Sequence, residues 1–100
     1  MKNINCKKVG NVKYFPISKV TFESPLVREG VLSSRGRVDL FKRILKTKKP
    51  EMGFTYKDIF KPLKVEWSNK YKKYVVTEGN HRLQAYKELK AKCVPVKISK

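Results

Sequence analysis

The stretch "TEGNHRL" at residues 77–83 sets a carboxylate, a glycine, an amide, the chain's only histidine and an arginine side by side. Such a run, at the start of a helix, suits an anion. Gly79 lets the backbone come close, and the unpaired N–H groups of a first helical turn point at phosphate oxygens. Arg82 adds a charge-assisted fork, and His81 can donate from a ring nitrogen or exchange a proton near neutral pH. Glu78 could orient the site, hold a cation or act as a base, so Glu78 and His81 are the candidate acid–base pair, with no catalytic residue assigned. The same residues also have an ordinary structural reading. Asn80 or Thr77 would cap the helix, Arg82 would be a surface cation, and His81 would settle a local hydrogen bond. Local chemistry leaves both open, and Leu83 belongs in the core.

Other chemistries fit poorly. One histidine and two distant cysteines, Cys6 and Cys93, compose no zinc site, so no metal ligands are assigned. The cysteines can form at most one intramolecular disulfide, and a packed thiol is the ordinary reading of Cys93. There is no phosphate-binding loop of the "GxxxxGK[ST]" type, no zinc finger and no paired-carboxylate nuclease centre.

Charge narrows the partner. Twenty-five lysines and arginines against eight acids give a formal charge of +17. A field of that sign favours a polyanion, most simply DNA, with RNA as the alternative. Lysine dominates, which suits phosphate contact more than bidentate base reading. The candidate nucleic-acid contacts are Arg35, Arg37, Lys42 and Arg43, then Lys46, Lys48 and Lys49, then Lys70, Lys72 and Lys73. The bland alternative is a lysine-rich solvated surface. No long basic amphipathic segment carries an apolar anchoring face, and no apolar run approaches the length of a bilayer. "MKNINCKKVG" has no secretory apolar run. The expectation is a cytoplasmic or nucleoid-associated protein without a membrane partner.

The elements that must position the motif follow from periodicity. "NVKYFPISKV" reads as a first strand with Pro16 near its end, and "TFESPLVREGVLSS" as a loop or short helical excursion. Ser34 is the candidate cap of the helix "RGRVDLFKRILK", whose Val38, Phe41 and Leu45 repeat at three and four residues. Pro50 and Gly53 close that segment. Thr55 caps a short helix in "FTYKDIF". "LKVEW" and "YVVT" read as an antiparallel pair, followed by the motif and the helix "HRLQAYKELK". "CVPVKI" is the last strand, which Pro95 places at an edge. The outcome is a small α+β (α/β) domain with a mixed sheet and packed helices. A weakly ordered basic N-terminus at 1–11, one domain at 12–98 and a tail at 99–100 are expected.

From "PLKVEW" through "TEGNHRLQAYKELK" to "CVPVKI", the chain resembles the ParB-like N-terminal domain of the ParB/sulfiredoxin superfamily. "VKYFPISKV" resembles its opening strand and residues 36–49 its first substantial helix, so the resemblance covers roughly residues 12–98. It implies that Thr77, Glu78, Gly79, Asn80, His81 and Arg82 contact nucleotide phosphates. It also implies a cofactor such as CTP or ATP, with magnesium. Partition proteins of this kind bind centromere-like DNA with the help of helix-turn-helix and dimerisation domains. This chain resembles the isolated core, which suits a phage or mobile-element protein. Two departures matter. Partition proteins favour "GERR" where this chain reads "GNHR", and sulfiredoxins carry a cysteine in "GCHR" where this chain has Asn80. An amide cannot perform sulfur–phosphoryl chemistry, so sulfiredoxin activity is disfavoured.

The leading expectation is therefore a nucleic-acid-binding module that holds a nucleotide at residues 77–82. The alternatives are a nucleotide-dependent phosphotransferase or nuclease, and an inactive module that binds a protein partner.

Overall fold

In a computed structural model, residues 13–98 are described. The expected N-terminal segment at 1–11 and the tail at 99–100 lie outside them. Strand β1 (Lys13–Pro16) leads through a 3-10 turn into the short β2 (Val20–Thr21). Two helices follow, α1 (Pro25–Ser33) and α2 (Arg35–Thr47), then a short α3 (Tyr56–Ile59). Strands β3 (Leu63–Ser68) and β4 (Lys73–Glu78), helix α4 (Asn80–Glu88) and β5 (Cys93–Ile98) complete the order. The five strands form one mixed sheet in the order β1-β5-β3-β4-β2. β1/β5 and β3/β4 are antiparallel, whereas β3/β5 and β2/β4 are parallel.

Of the loop or short helical excursion expected here, the helix forms, as α1. Pro25 occupies the first turn, where its missing N–H costs nothing, and Ser24 Oγ accepts from Val27 N at 3.2 Å. Ser34 does open α2, its carbonyl accepting from Val38 N at 3.2 Å. Its hydroxyl, however, turns back to donate to Gly30 O at 3.1 Å, so it ties α1 to α2 and provides no side-chain cap. α2 stops at Thr47, where Lys48 turns left-handed (φ 61°) and its N–H bonds Ile44 O at 2.8 Å. Thr55 caps α3 as expected, in a reciprocal box with Asp58.

The core joins α2 and α4 to the sheet. Val38, Phe41 and Ile44 from α2, Leu83 and Tyr86 from α4, and Leu63, Val65 and Val76 from the strands are buried together. Pro95 does not mark an edge. β5 lies inside the sheet, between β1 and β3. It is tolerated because its β3 register begins at Leu63↔Val96, one residue after the proline, while Tyr14 of β1 stands opposite Pro95. Cys93, read from sequence as a packed thiol, is buried but disulfide-bonded. Among the described residues, no helix is long and apolar enough to cross a membrane.

Polar contacts then set the angle of α4. Glu88, at its end, accepts from Arg35 Nη1 at 2.6 Å and Nη2 at 2.7 Å, from Lys42 Nζ at 3.0 Å and from Gln84 Nε2 at 2.7 Å. This knot clamps α4 to α2. The bonds from Arg35, opposed by some desolvation, hold the Glu88 carboxyl well below the usual carboxylate range. The lowered pKa fixes the sign of the pH effect: the stabilisation is complete above the ordinary value and is lost as pH falls towards the folded-state value. Urea unfolding of wild type and Glu88→Gln should therefore differ most near neutral pH. The gap should narrow below about pH 4.5, where the unfolded carboxyl protonates.

Candidate functional site

The turn between β4 and α4 is built on Gly79. Its backbone sits at φ 108°, ψ 27°, in the left-handed region that side-chain-bearing residues seldom enter. Space also excludes a side chain. A Cβ there would lie 2.7 Å from Arg82 Nη2 and 2.7 Å from Leu63 Cδ2. Gly79 is the N-cap of α4, and its carbonyl accepts from Leu83 N at 2.9 Å. Neither Asn80 nor Thr77 is the cap, contrary to the sequence expectation. Asn80 is already inside the helix, and the hydroxyl of Thr77, on β4, donates to Lys64 O at 3.3 Å. Among the described residues no side-chain cap bond closes the start of α4, so the N–H groups of its first turn are left to an outside acceptor.

Arg82 folds its guanidinium back over Gly79 and donates from Nη1 to Lys61 O at 2.9 Å. Burial lowers its pKa, with Tyr86 and Glu78 opposing that shift, yet the group stays cationic at neutral pH. Glu78 is exposed and pairs with Lys64, Oε2 to Nζ at 3.0 Å. The hydrogen bond from Lys64 leads the lowering of its carboxyl pKa, which makes it a weak base. Burial, then the charge of Arg37, lowers the pKa of His81, so its ring is neutral at pH 7. Among the described residues, Asn80 Oδ1 is buried without a hydrogen-bond partner, and so is the hydroxyl of Tyr86. Buried polar groups left unpaired are rare, and two occur within two turns of this helix.

Beside Arg82 opens a cleft of about 350 Å³, lined by Phe41, Phe54, Asp58, Lys61, Glu78 and Arg82 among others. Asp58 and Lys61 were not singled out in the sequence. Thr55 was legible as a cap, but nothing local showed that the segment after α3 would face the motif. Asp58 Oδ2 accepts from Thr55 N at 2.8 Å and Thr55 Oγ1 at 2.9 Å, so this acid is committed to structure. Among the described residues, no cluster of three or more His, Cys, Asp or Glu side chains could hold a metal ion.

The candidate nucleic-acid contacts divide. Arg35 and Lys42 are drawn into the Glu88 knot, and Arg43 forks onto Glu51, with Nη2 to Oε1 at 2.7 Å. Lys48 lies over the Tyr56 ring at 5.7 Å and Lys70 over the Tyr71 ring at 5.4 Å. Arg37, Lys46, Lys49, Lys72 and Lys73 are exposed and form no ion pair among the described residues.

A mixed five-stranded sheet with a glycine-led strand-to-helix turn defines a small α+β domain of the ParB and sulfiredoxin type. The family model for the ParB N-terminal domain matches residues 1–100, and the chain belongs to that family. Sulfiredoxin from Arabidopsis thaliana is similar in structure, with a TM-score of 0.61 at 20% identity over 89% of this chain and 84% of that one. The C-terminally truncated chromosome-partitioning protein ParB from Caulobacter crescentus, solved with CTP-gamma-S, gives 0.61 at 21% identity over 91% of this chain. This chain spans 45% of that protein. A conserved hypothetical protein from Pyrococcus furiosus gives 0.56 at 20% identity, covering 96% of this chain and 34% of its own. At these identities the likeness is one of fold. A search of the curated proteins finds no significant match.

Two measurements check the turn. Gly79→Ala should cost about 2 kcal/mol or more in urea unfolding, since it combines left-handed strain with a steric clash. In an NMR titration, His81 should change charge below its ordinary value of 6.5. Arg37→Ala should restore only part of that shift, because burial is the larger cause.

Proposed function

We propose that the chain is a nucleic-acid-binding ParB-like module, with one domain over residues 12–98, that also holds the phosphates of a nucleotide at residues 77–82. The observation that carries the reading is the uncapped start of α4 behind a glycine that admits no side chain, with Arg82 beside it. Backbone N–H groups, the helix dipole and one cation then converge on an anion. The Caulobacter ParB solved with CTP-gamma-S supports a triphosphate such as CTP or ATP as the ligand. Magnesium would arrive with the triphosphate, since it is usually held by phosphates and one or two carboxylates. Glu78 is the acid of the turn that could meet it.

DNA is the favoured polyanion and RNA the alternative. The exposed Arg37, Lys46, Lys49, Lys72 and Lys73 supply phosphate contacts, with Lys48 and Lys70 beside them. Arg35, Lys42 and Arg43 are weaker contributors, because their charges already meet acids. Such partners suit a cytoplasmic or nucleoid location. A phosphotransferase or nuclease would need Glu78 or His81 as its base. The salt bridge to Lys64 weakens Glu78 for that task, so binding is favoured over chemistry.

Calorimetry with CTP and ATP, with and without magnesium, should show saturable binding that weakens about tenfold or more in Arg82→Gln, the loss of a charged hydrogen bond. Thermal melting of the same variant separates this from the role of Arg82 in holding Lys61. Filter binding with duplex DNA, single-stranded DNA and RNA over a salt series should show affinity that falls steeply with salt. Failure to bind any nucleotide removes the cradle. Failure to retain any nucleic acid at low salt removes the module reading and favours a protein-binding role.

A further inference from the structure

At the other end of β4, some 17 Å along the strand from the turn at a strand's usual rise, a second arrangement stands apart from the cleft. Trp67, the chain's only tryptophan, lies opposite Tyr74 in the β3–β4 register and keeps 51% of its surface exposed. Its ring is held. It meets Tyr74 edge to face at a centroid distance of 5.1 Å, and its Nε1–H donates to Asn69 Oδ1 at 2.9 Å. Tyr74 in turn rests on Phe15 at 5.0 Å, and Phe15 packs against the core. The three rings form a ladder that leads from the interior to an exposed indole.

A lone exposed aromatic is ordinary and marks nothing. The surroundings are what distinguish this one. Trp67 and Tyr74 line a concavity of about 350 Å³ with Ser18, Lys19, Lys72 and Lys73. Among the described residues, the lining holds three lysines and no acid. The neighbouring Glu66 alternates to the other face of β3, opposite Val75. A protein partner would have to be acidic and apolar at once to match this patch. A nucleotide strand matches it by construction, since every base has a flat π-face and every link a negative charge. A base inside a duplex has both faces covered, whereas an unpaired base leaves them free to stack.

We infer that Trp67, Tyr74, Lys19, Lys72 and Lys73 form a binding site for single-stranded nucleic acid, in which Trp67 stacks a base and the lysines neutralise the flanking phosphates. The inference deepens the nucleic-acid reading above and rests on it, but it is independent of the turn at Gly79. The indole is already immobilised, so stacking orders little that was free before.

Because Trp67 is the only tryptophan, intrinsic fluorescence reports this patch directly. A single-stranded oligothymidylate of about twelve nucleotides should quench it saturably at low salt, and the matching duplex should quench it far less. Trp67→Ala should weaken retention of the oligomer on filters about tenfold or more, the loss of one stacked base, and Trp67→Phe should restore part of it. Replacing Lys19, Lys72 and Lys73 together by Gln should lower the salt slope by about two, near 0.7 for each single-strand phosphate contact.

Several results overturn the inference: no quenching, equal quenching by duplex, equal affinity for a mononucleotide, or unaltered retention in Trp67→Ala. A blue shift that grows with protein concentration alone assigns the patch to a second copy of the chain and also overturns it. If filters retain nucleic acid while the fluorescence stays silent, this site fails and the module reading stands. If no nucleic acid is retained at all, both fall.

Discussion

The strand-to-helix turn at Gly79 is the constraint on which the candidate site depends. Leu63 fills the space on one side and the Arg82 guanidinium fills it on the other, so only a hydrogen fits between them. The same closeness explains why no side chain caps α4. The chain enters the helix directly from a left-handed residue, leaving its first N–H groups without a local acceptor. Backbone geometry, packing against β3 and polarity at the helix start are thus one feature seen three ways. Arg82 links them, since the guanidinium that covers Gly79 also bonds the carbonyl of Lys61 at the entry to β3.

The charge of the chain is distributed with a similar economy. A formal +17 invites the picture of a uniformly basic surface, but the few acids do not lie at random. Glu88 gathers Arg35 and Lys42, Glu51 takes Arg43, and Glu78 takes Lys64. Arginine is used here mainly to hold structure together, because its planar fork meets a carboxylate with two bonds at once. Exposed ion pairs of this sort contribute little energy singly, whereas the Glu88 knot, with three donors on one carboxylate, acts as a network. Among the described residues, most of the lysines meet no acid. The surface offered to a polyanion is therefore narrower than composition alone implies, and it is carried by lysine.

Much of the fold was legible along the chain. The 3.6-residue period of α2, the antiparallel β3–β4 pair and the Thr55 cap all follow from local pattern and turn chemistry. The caps show where local pattern stops. Ser34 is the N-cap of α2 as its type suggests, but its hydroxyl bonds the preceding helix. Thr77 and Asn80 are good capping residues by type, yet the Thr77 hydroxyl bonds the adjacent strand and Asn80 lies one position too far inside the helix. Pro95 shows the same limit for strands. Its missing N–H argues for an edge, yet the register with β3 starts beyond it and an interior place is open.

By itself, then, the sequence determined the class of the domain, the sign of its net charge and the glycine-led motif, because these rest on residue types and short spacings. Tertiary structure alone decided which cations remain free, that the segment after α3 faces Arg82 across a cleft, and that Trp67 stands exposed among lysines. Those outcomes depend on which side chains meet across distant stretches of chain. A local pattern contains no information about the partner until the sheet order and the packing of α2 against α4 are set.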